Sequence, residues 1–398
     1  MRLAIVTTHP IQYNAPLFRL LAKQHGLDLK VFYTWSQTSA GSQYDPKFGR
    51  IIAWDIPLLE GYDYEFVENV SRRPGSGHFR GIDNPGLIQS IEAWQPSALL
   101  VYGWSFKSHL ACLRYFKGRV PVLFRGDSTL IDETPGLKRR LRHLFLRWVY
   151  RYVDVALYVG EANKAYFLSC GLSGKQLVFA PHAVDNHRFE MNRESLEAEA
   201  KQRRSAIGLG EDDLVVMFAG KFESKKDPRF VLQLAKEIKR PGVKFLMVGN
   251  GALEDELKAD ASQENRVIFL DFQNQQAMPL VYRMANVFLL PSVRNETWGL
   301  AVNEAMACCR PVIVSSRVGC APDLVRDGET GWSYEPGEGA VGQVAAILEQ
   351  VCDGGISLKQ MGIQASRHIQ AYSYHAIIAA IMDIMNNISR IQEIRQKG

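Results

Sequence analysis

Two separate series of short apolar runs, each alternating with helical stretches, constrain this chain more than any other feature. Leu3–Thr7, Ala98–Tyr102, Val120–Phe124 and Val155–Tyr158 are apolar at successive rather than alternate positions, and Leu27–Tyr33 is interrupted only by Asp28 and Lys30. Such runs read as strands covered on both faces, as in a parallel sheet with helices on either side. Ala15–Lys23 is the first predicted helix between them. Residues 190–206, rich in Glu, Arg, Lys and Gln, then break the pattern and predict a connector or exposed helix. The alternation restarts with Val215–Ala219, a helix over Arg229–Lys239, and strands at Phe245–Val248, Val267–Leu270, Val287–Leu290 and Val312–Ser315. A chain of 398 residues is too long for one ordinary core. The predicted fold class is therefore α/β, with two Rossmann-like, doubly wound parallel-sheet domains facing each other across a cleft. The first is expected over 1–189 and the second over 190–371, with a long helical stretch over Tyr372–Ile394 ending the chain.

Composition narrows the class. With 46% hydrophobic and 22% charged residues the chain is globular rather than disordered. No apolar run approaches the roughly 20 residues of a membrane span, and Leu3–Val6 is too short for a signal-peptide core. The six cysteines show neither C-x-x-C pairing nor zinc spacing, so a cytoplasmic protein with reduced thiols is expected. A net charge of +5 is too small to imply nucleic acid. Six of the positive charges nevertheless fall within Lys138–Arg151, a stretch without an acid.

The chemistry concentrates after strands of the second series, where ligands of such sheets bind. Glu296 and Glu304 stand eight residues apart, the first on the loop after Val287–Leu290 and the second in the following helix. Gly299 lies between them at the helix start, where unpaired N–H groups of Trp298–Leu300 favour an anion. The loop after Val215–Ala219 carries Gly220, Lys221, Lys225 and Lys226, cations able to neutralise a diphosphate. Gly249 and Gly251 follow Phe245–Val248 and allow either a close ligand approach or a plain strand-to-helix turn. Arg317–Asp323 reads as a turn opening a helix, and Asp327–Gly331 as a turn. Two carboxylates, cations and an anion site suit a nucleotide-sugar. No D-x-D pair occurs, so the lysines rather than a metal are expected to hold the diphosphate.

These segments resemble the retaining GT-B glycosyltransferases of family 4, most densely between Val215 and about Pro336. The family's E-x7-E element matches Glu296 and Glu304, and its G-R-x4-K element appears as Gly220, Lys221 and Lys226, with Lys for the usual Arg. Leu289-Leu290-Pro291-Ser292, Glu304–Val312 (with Cys309 where Gly is usual) and Ala180–Asp185 (with His182 for Asn and Ala183 for Gly) match further elements. The resemblance implies a retaining, metal-independent hexosyltransferase that moves a sugar from a nucleoside diphosphate, most simply a UDP-sugar, to a saccharide, lipid-linked or other hydroxyl acceptor in polysaccharide or glycoconjugate biosynthesis. No cofactor beyond the co-substrate is expected. Glu304 would bind the ribose and Glu296 the donor sugar. Lys221 and Lys226 would hold the diphosphate, and the backbone of Trp298, Gly299 and Leu300 would cradle it. The last helix, about 372–398, would cross back onto the first domain. An epimerase or hydrolase of nucleotide-sugars, or a non-catalytic binding protein, would share the fold and remain the rival readings.

The first half departs most from the family pattern. His9 and Asn14 lie on the loop after the first strand, and Trp104 follows Ala98–Tyr102 as a candidate acceptor wall. Arg125 and Asp127 follow Val120–Phe124, and either make polar contacts in the cleft or serve structure. Within Leu137–Val153, the residues Leu137, Leu141, Leu144, Phe145, Trp148, Tyr152 and Val153 fall near one helix face. An ordinary helix covering the sheet with that stripe is the expectation; the alternative is peripheral contact with an anionic membrane at the inner face of the cell membrane.

Overall fold

The computed structural model describes residues 1–35, 42–45 and 50–388. The chain forms two compact units, one of Met1–Gln43, Ile56–Pro181 and Tyr374–Gly398, the other of Tyr44–Asp55 and His182–Ser373. Residues 182–189 thus group with the second unit.

The strands up to the end of the first unit's sheet are β1 (Arg2–Thr7), β2 (Asp28–Tyr33), β3 (Ser42–Asp45), β4 (Arg50–Ala53), β5 (Asp63–Phe66), β6 (Ala98–Tyr102), β7 (Val122–Arg125), β8 (Val155–Tyr158) and β9 (Leu177–Phe179). All but β3 and β4, which pair with each other, form a seven-stranded sheet in the order β5-β2-β1-β6-β7-β8-β9. Its neighbouring strands run parallel, with Ile5 opposite both Val31 and Leu100. Leu3 to Val6 and Leu99 to Val101 are fully buried, as strands covered on both faces must be. The strand order reverses between β1 and β6, which makes their carboxyl ends the switch point of this sheet. Helix Tyr374–Asn386 packs in the same unit, where the Tyr374 hydroxyl donates to the Tyr13 carbonyl at 2.9 Å. Residues 389–398 of the expected terminal helix lie outside the described residues.

Helix Leu137–Tyr150 corrects one expectation. It buries Leu146, Val149 and Tyr150, and Leu146 and Tyr150 join a core with Phe124, Val153 and Phe167. The face carrying Leu137, Leu141, Leu144 and Phe145 is the exposed one. The segment has two apolar faces, and the narrower one covers the sheet.

The second unit holds β10 (Leu214–Ala219), β11 (Val243–Val248), β12 (Val267–Leu270), β13 (Val287–Leu290), β14 (Val312–Ser315) and β15 (Gly331–Tyr334). They form a parallel sheet in the order β12-β11-β10-β13-β14-β15, with its switch point between β10 and β13. Gly331 opens β15 because a Cβ there would lie 2.0 Å from the Val312 carbonyl oxygen. The charged stretch 190–206 contains helix Arg193–Ala206, whose buried positions are Ala200 and Arg204. Residues from the first half of the sequence complete this unit. Asn274 Nδ2 donates to the Ala53 carbonyl at 2.6 Å, the Gln276 N–H donates to the Asp55 carboxylate, and the Trp54 and Phe272 rings meet at 6.3 Å.

Candidate active site

Two loops leave the second sheet at its switch point, 220–228 after β10 and 291–299 after β13. Each brings one charge to a common place. Lys226 Nζ is ion-paired with Glu296 Oε2, and both side chains are largely buried, at 16 and 13% exposure. The buried Ser292 lies 3.4 Å from the same Oε2 as a hydrogen-bond donor. The loops are also stitched by the Val293 N–H donating to the Lys225 carbonyl at 3.0 Å. Lys221, partly buried, stands earlier on the first loop, where its carbonyl accepts from the Glu223 N–H. Lys225 lies 3.5 Å from Glu223.

Glycines set the loop positions. A Cβ on Gly249 would lie 2.1 Å from the Gly220 carbonyl oxygen, and one on Gly251 would lie 2.7 Å from the Phe222 backbone. These two residues therefore let the lysine loop lie against the loop after β11. Asn250 between them is buried; its side chain donates to Glu254 and Asp271 and accepts from the Phe272 N–H, tying in the loop after β12. Gly220 itself is not crowded, since a Cβ there would meet only the Phe218 ring at 3.7 Å.

The glutamate loop is held from its other side by residues 317–320. The Gly319 N–H donates to the Glu296 carbonyl at 2.9 Å, and the Cys320 N–H donates to the Trp298 carbonyl at 3.0 Å. A Cβ on Gly319 would sit 1.9 Å from the Thr297 carbonyl oxygen, so only glycine permits this approach. Gly299 has φ +98°, and a Cβ there would press on Val318 and Leu290 at 2.8 and 2.9 Å. It starts helix Leu300–Ala307. Among the described residues, none accepts from the N–H groups of Gly299, Leu300 or Ala301. That leaves a row of donors at a helix start, suited to an anion.

Glu304, one turn into that helix, is buried, and its Oε2 accepts from the Tyr282 hydroxyl at 2.7 Å. Trp298 offers its backbone and not its ring to the site. The ring is buried, its Nε1 donates to Asn303 Oδ1 at 2.8 Å, and it packs near His182 and Tyr372. Asn303 in turn donates to the His182 carbonyl at 3.1 Å, which ties His182 to the helix. Tyr282, Asn303 and Gly319 hold the site in place but carry no role in the sequence pattern. The polar Asn303 within the otherwise mostly apolar stretch Leu300–Ala307 is the one signal visible in the sequence.

In the first unit, His9 follows β1 and Trp104 follows β6, the two strands at the switch point of that sheet. His9 lies with Nδ1 2.9 Å from the Thr8 hydroxyl and its ring edge-on to Trp35; burial lowers its pKa. Asn14 precedes helix Ala15–Ala22 without capping it through its side chain. Trp104 meets Phe145 edge-on at 5.5 Å. Arg125 is committed to structure: it is buried and donates to the carbonyls of Ala180 and Pro181 at 2.7 and 2.8 Å. Burial lowers the Arg125 pKa, while Tyr102 and Asp127 oppose that shift.

Comparison with known proteins points the same way. Residues 199–368 match the family described as glycosyl transferases group 1. The D-inositol 3-phosphate glycosyltransferase of Mycobacterium tuberculosis is 30% identical over 226 residues, covering 52% of this chain and 45% of that protein. The chain thus spans about half the length of the curated relatives it matches. Among solved structures, Anabaena HepE in complex with UDP is similar with a TM-score of 0.72 at 16% identity, covering 97% of this chain and 100% of that one. Sucrose-phosphate synthase of Thermosynechococcus elongatus is similar with a TM-score of 0.72 at 18% identity, covering 98 and 99%. With the two parallel-sheet units these likenesses show the GT-B fold.

Proposed function

We propose that this chain is a glycosyltransferase that transfers a hexosyl group from a nucleoside diphosphate sugar to a hydroxyl acceptor, with retention and without a metal. The observation that carries this reading is the Lys226–Glu296 pair at the β10/β13 switch point, beside the N–H groups of Gly299–Ala301. When the donor bond breaks, negative charge grows on the leaving phosphate and positive charge on the anomeric carbon. Lys226 and Lys221, with those N–H groups, supply preorganised positive charge for the first. A diphosphate arriving at Lys226 competes with Glu296 for it and leaves that carboxylate for the sugar hydroxyls. Glu304 serves the ribose, oriented by Tyr282.

Retention and a role in polysaccharide or glycoconjugate synthesis rest on the resemblance to family 4. A UDP-sugar is the donor to try first, because the similar HepE has been solved with UDP and with UDP-glucose. The acceptor is taken to lie with His9, Asn14 and Trp104 of the first unit, at whose switch point they stand. The reading is tested by assaying transfer from UDP-, GDP- and ADP-sugars in EDTA, with Glu296→Ala and Lys226→Ala alongside. Full activity in both variants overturns the site, and loss of wild-type activity in EDTA overturns the metal-free chemistry. Turnover of donor without any acceptor would instead identify an epimerase or hydrolase.

A further inference from the structure

The face of helix Leu137–Tyr150 turned away from its own core is apolar. Leu137, Leu141, Leu144 and Phe145 are 72, 59, 62 and 44% exposed. At about 100° per residue they fall on one ridge, together with the half-buried Trp148. Contiguous exposed apolar side chains of this kind mark an interaction surface. Cations line both edges of the ridge, Lys138 and Arg142 along one side and Arg140, Arg147 and Arg151 along the other, all exposed. Arg139 turns inward and pairs with Glu133 at 2.9 Å, and the exposed Arg142 also reaches that carboxylate, at 3.9 Å. Aromatic rings continue the ridge at its end. Phe145 stacks on Trp148 at 5.7 Å, and Arg114 and Arg151 cover the Trp148 ring at 5.6 and 5.9 Å.

We propose that this helix lies in the surface of an anionic bilayer, with the leucine ridge in the headgroup–acyl boundary and the flanking cations at lipid phosphates. Charge decides the occupant. Stacking the ridge on a second copy of itself would bring two rows of five cations together in a low-dielectric contact. A nucleic acid would satisfy the cations but leave the central leucines in water. An anionic bilayer satisfies both, and Trp and Arg at the rim are the side chains that favour its interface. The inference stands apart from glycosyl transfer, since it uses neither Lys226 nor Glu296.

The experiment is cosedimentation of the full chain with vesicles of phosphatidylcholine alone or with added phosphatidylglycerol, at low and high salt. Binding is expected to the anionic vesicles only and to weaken with salt. Leu141→Gln/Leu144→Gln should weaken it by about tenfold or more, and Arg140→Gln/Arg147→Gln by roughly fivefold per charge. These positions are exposed, so the thermal midpoint of both variants should match the wild type. Failure of the wild type to bind anionic vesicles at low salt overturns the proposal, as does undiminished binding by the leucine variant. Equal binding to neutral vesicles overturns the role of the cations. Lipid-free self-association that the leucine variant abolishes would assign the ridge to a second copy instead.

Discussion

Lys226 and Glu296 form an ion pair between two loops 70 positions apart in sequence (296 − 226), at the one place where the strand order of the second sheet reverses. Neither charge is well solvated, so each is the other's main compensation. Glu296→Gln keeps the shape and removes the charge. Its kcat is expected to fall by about 10²–10³, some 3–4 kcal/mol of transition-state stabilisation, with the fold intact by circular dichroism. Lys226→Met should cost a similar factor. The double variant should lose much less than the product of the two, because the pair acts as a unit. Steady-state kinetics on the four proteins checks this.

Gly319→Ala tests how the glutamate loop is held. The added methyl would meet the Thr297 carbonyl oxygen at 1.9 Å, so backbone must move, and the segment that moves contains Glu296. A destabilisation of about 1–3 kcal/mol is expected, with weaker binding of UDP in calorimetry. Gly342→Ala is the control. It lies exposed in helix Ala340–Cys352 with nothing within 4 Å of its new Cβ, and should stabilise by about 0.5–1 kcal/mol. Urea denaturation separates the two outcomes by sign.

Tyr282→Phe removes the hydroxyl that donates to the buried Glu304 carboxylate. Losing that donor inside the protein should cost about 1–3 kcal/mol of stability. If Glu304 orients on a ribose, nucleotide affinity should fall in the same variant while the Glu296-dependent kcat changes little. A KM-against-kcat comparison reads this.

Much of the architecture is legible in the sequence because parallel strands covered on both faces leave continuous apolar runs. Val155–Tyr158, Val267–Leu270 and Val287–Leu290 coincide with β8, β12 and β13. The strand β15 is missed because Gly331 and Ser333 dilute its apolar pattern, although glycine is there to let the Val312 carbonyl approach. Glu296, Glu304 and the lysines stand out through loop position and resemblance. The residues that hold them do not: Tyr282, Asn303 and Gly319 act on partners whose nearness depends on chain folding. Helix Leu137–Tyr150 shows the same limit. Its periodicity announces an apolar stripe at 137, 141, 144, 145 and 148, yet Leu146, Val149 and Tyr150 form a second face, and only packing decides which one the core takes.

His109 supplies the last prediction, one of pH. It is fully buried, with Nδ1 2.9 Å from the Tyr102 carbonyl and Nε2 3.0 Å from the Thr34 hydroxyl. A carbonyl oxygen only accepts, so Nδ1 carries the hydrogen and Nε2 is left to accept from Thr34. Burial lowers the pKa to about 4 from 6.5, against the opposing pull of the two carbonyls. The unfolded chain therefore takes up this proton at higher pH than the native state does. Stability from the neutral ring is present in full above pH 6.5 and is lost as the pH falls from there through about 4. Between pH 7 and pH 5 the loss is about 2 kcal/mol. The half-buried His9, whose pKa is also lowered, adds in the same direction. His109→Gln cannot take up the proton, so its unfolding free energy should fall less between those two pH values. Parallel slopes for wild type and variant in urea titrations would show that His109 titrates normally in the native state.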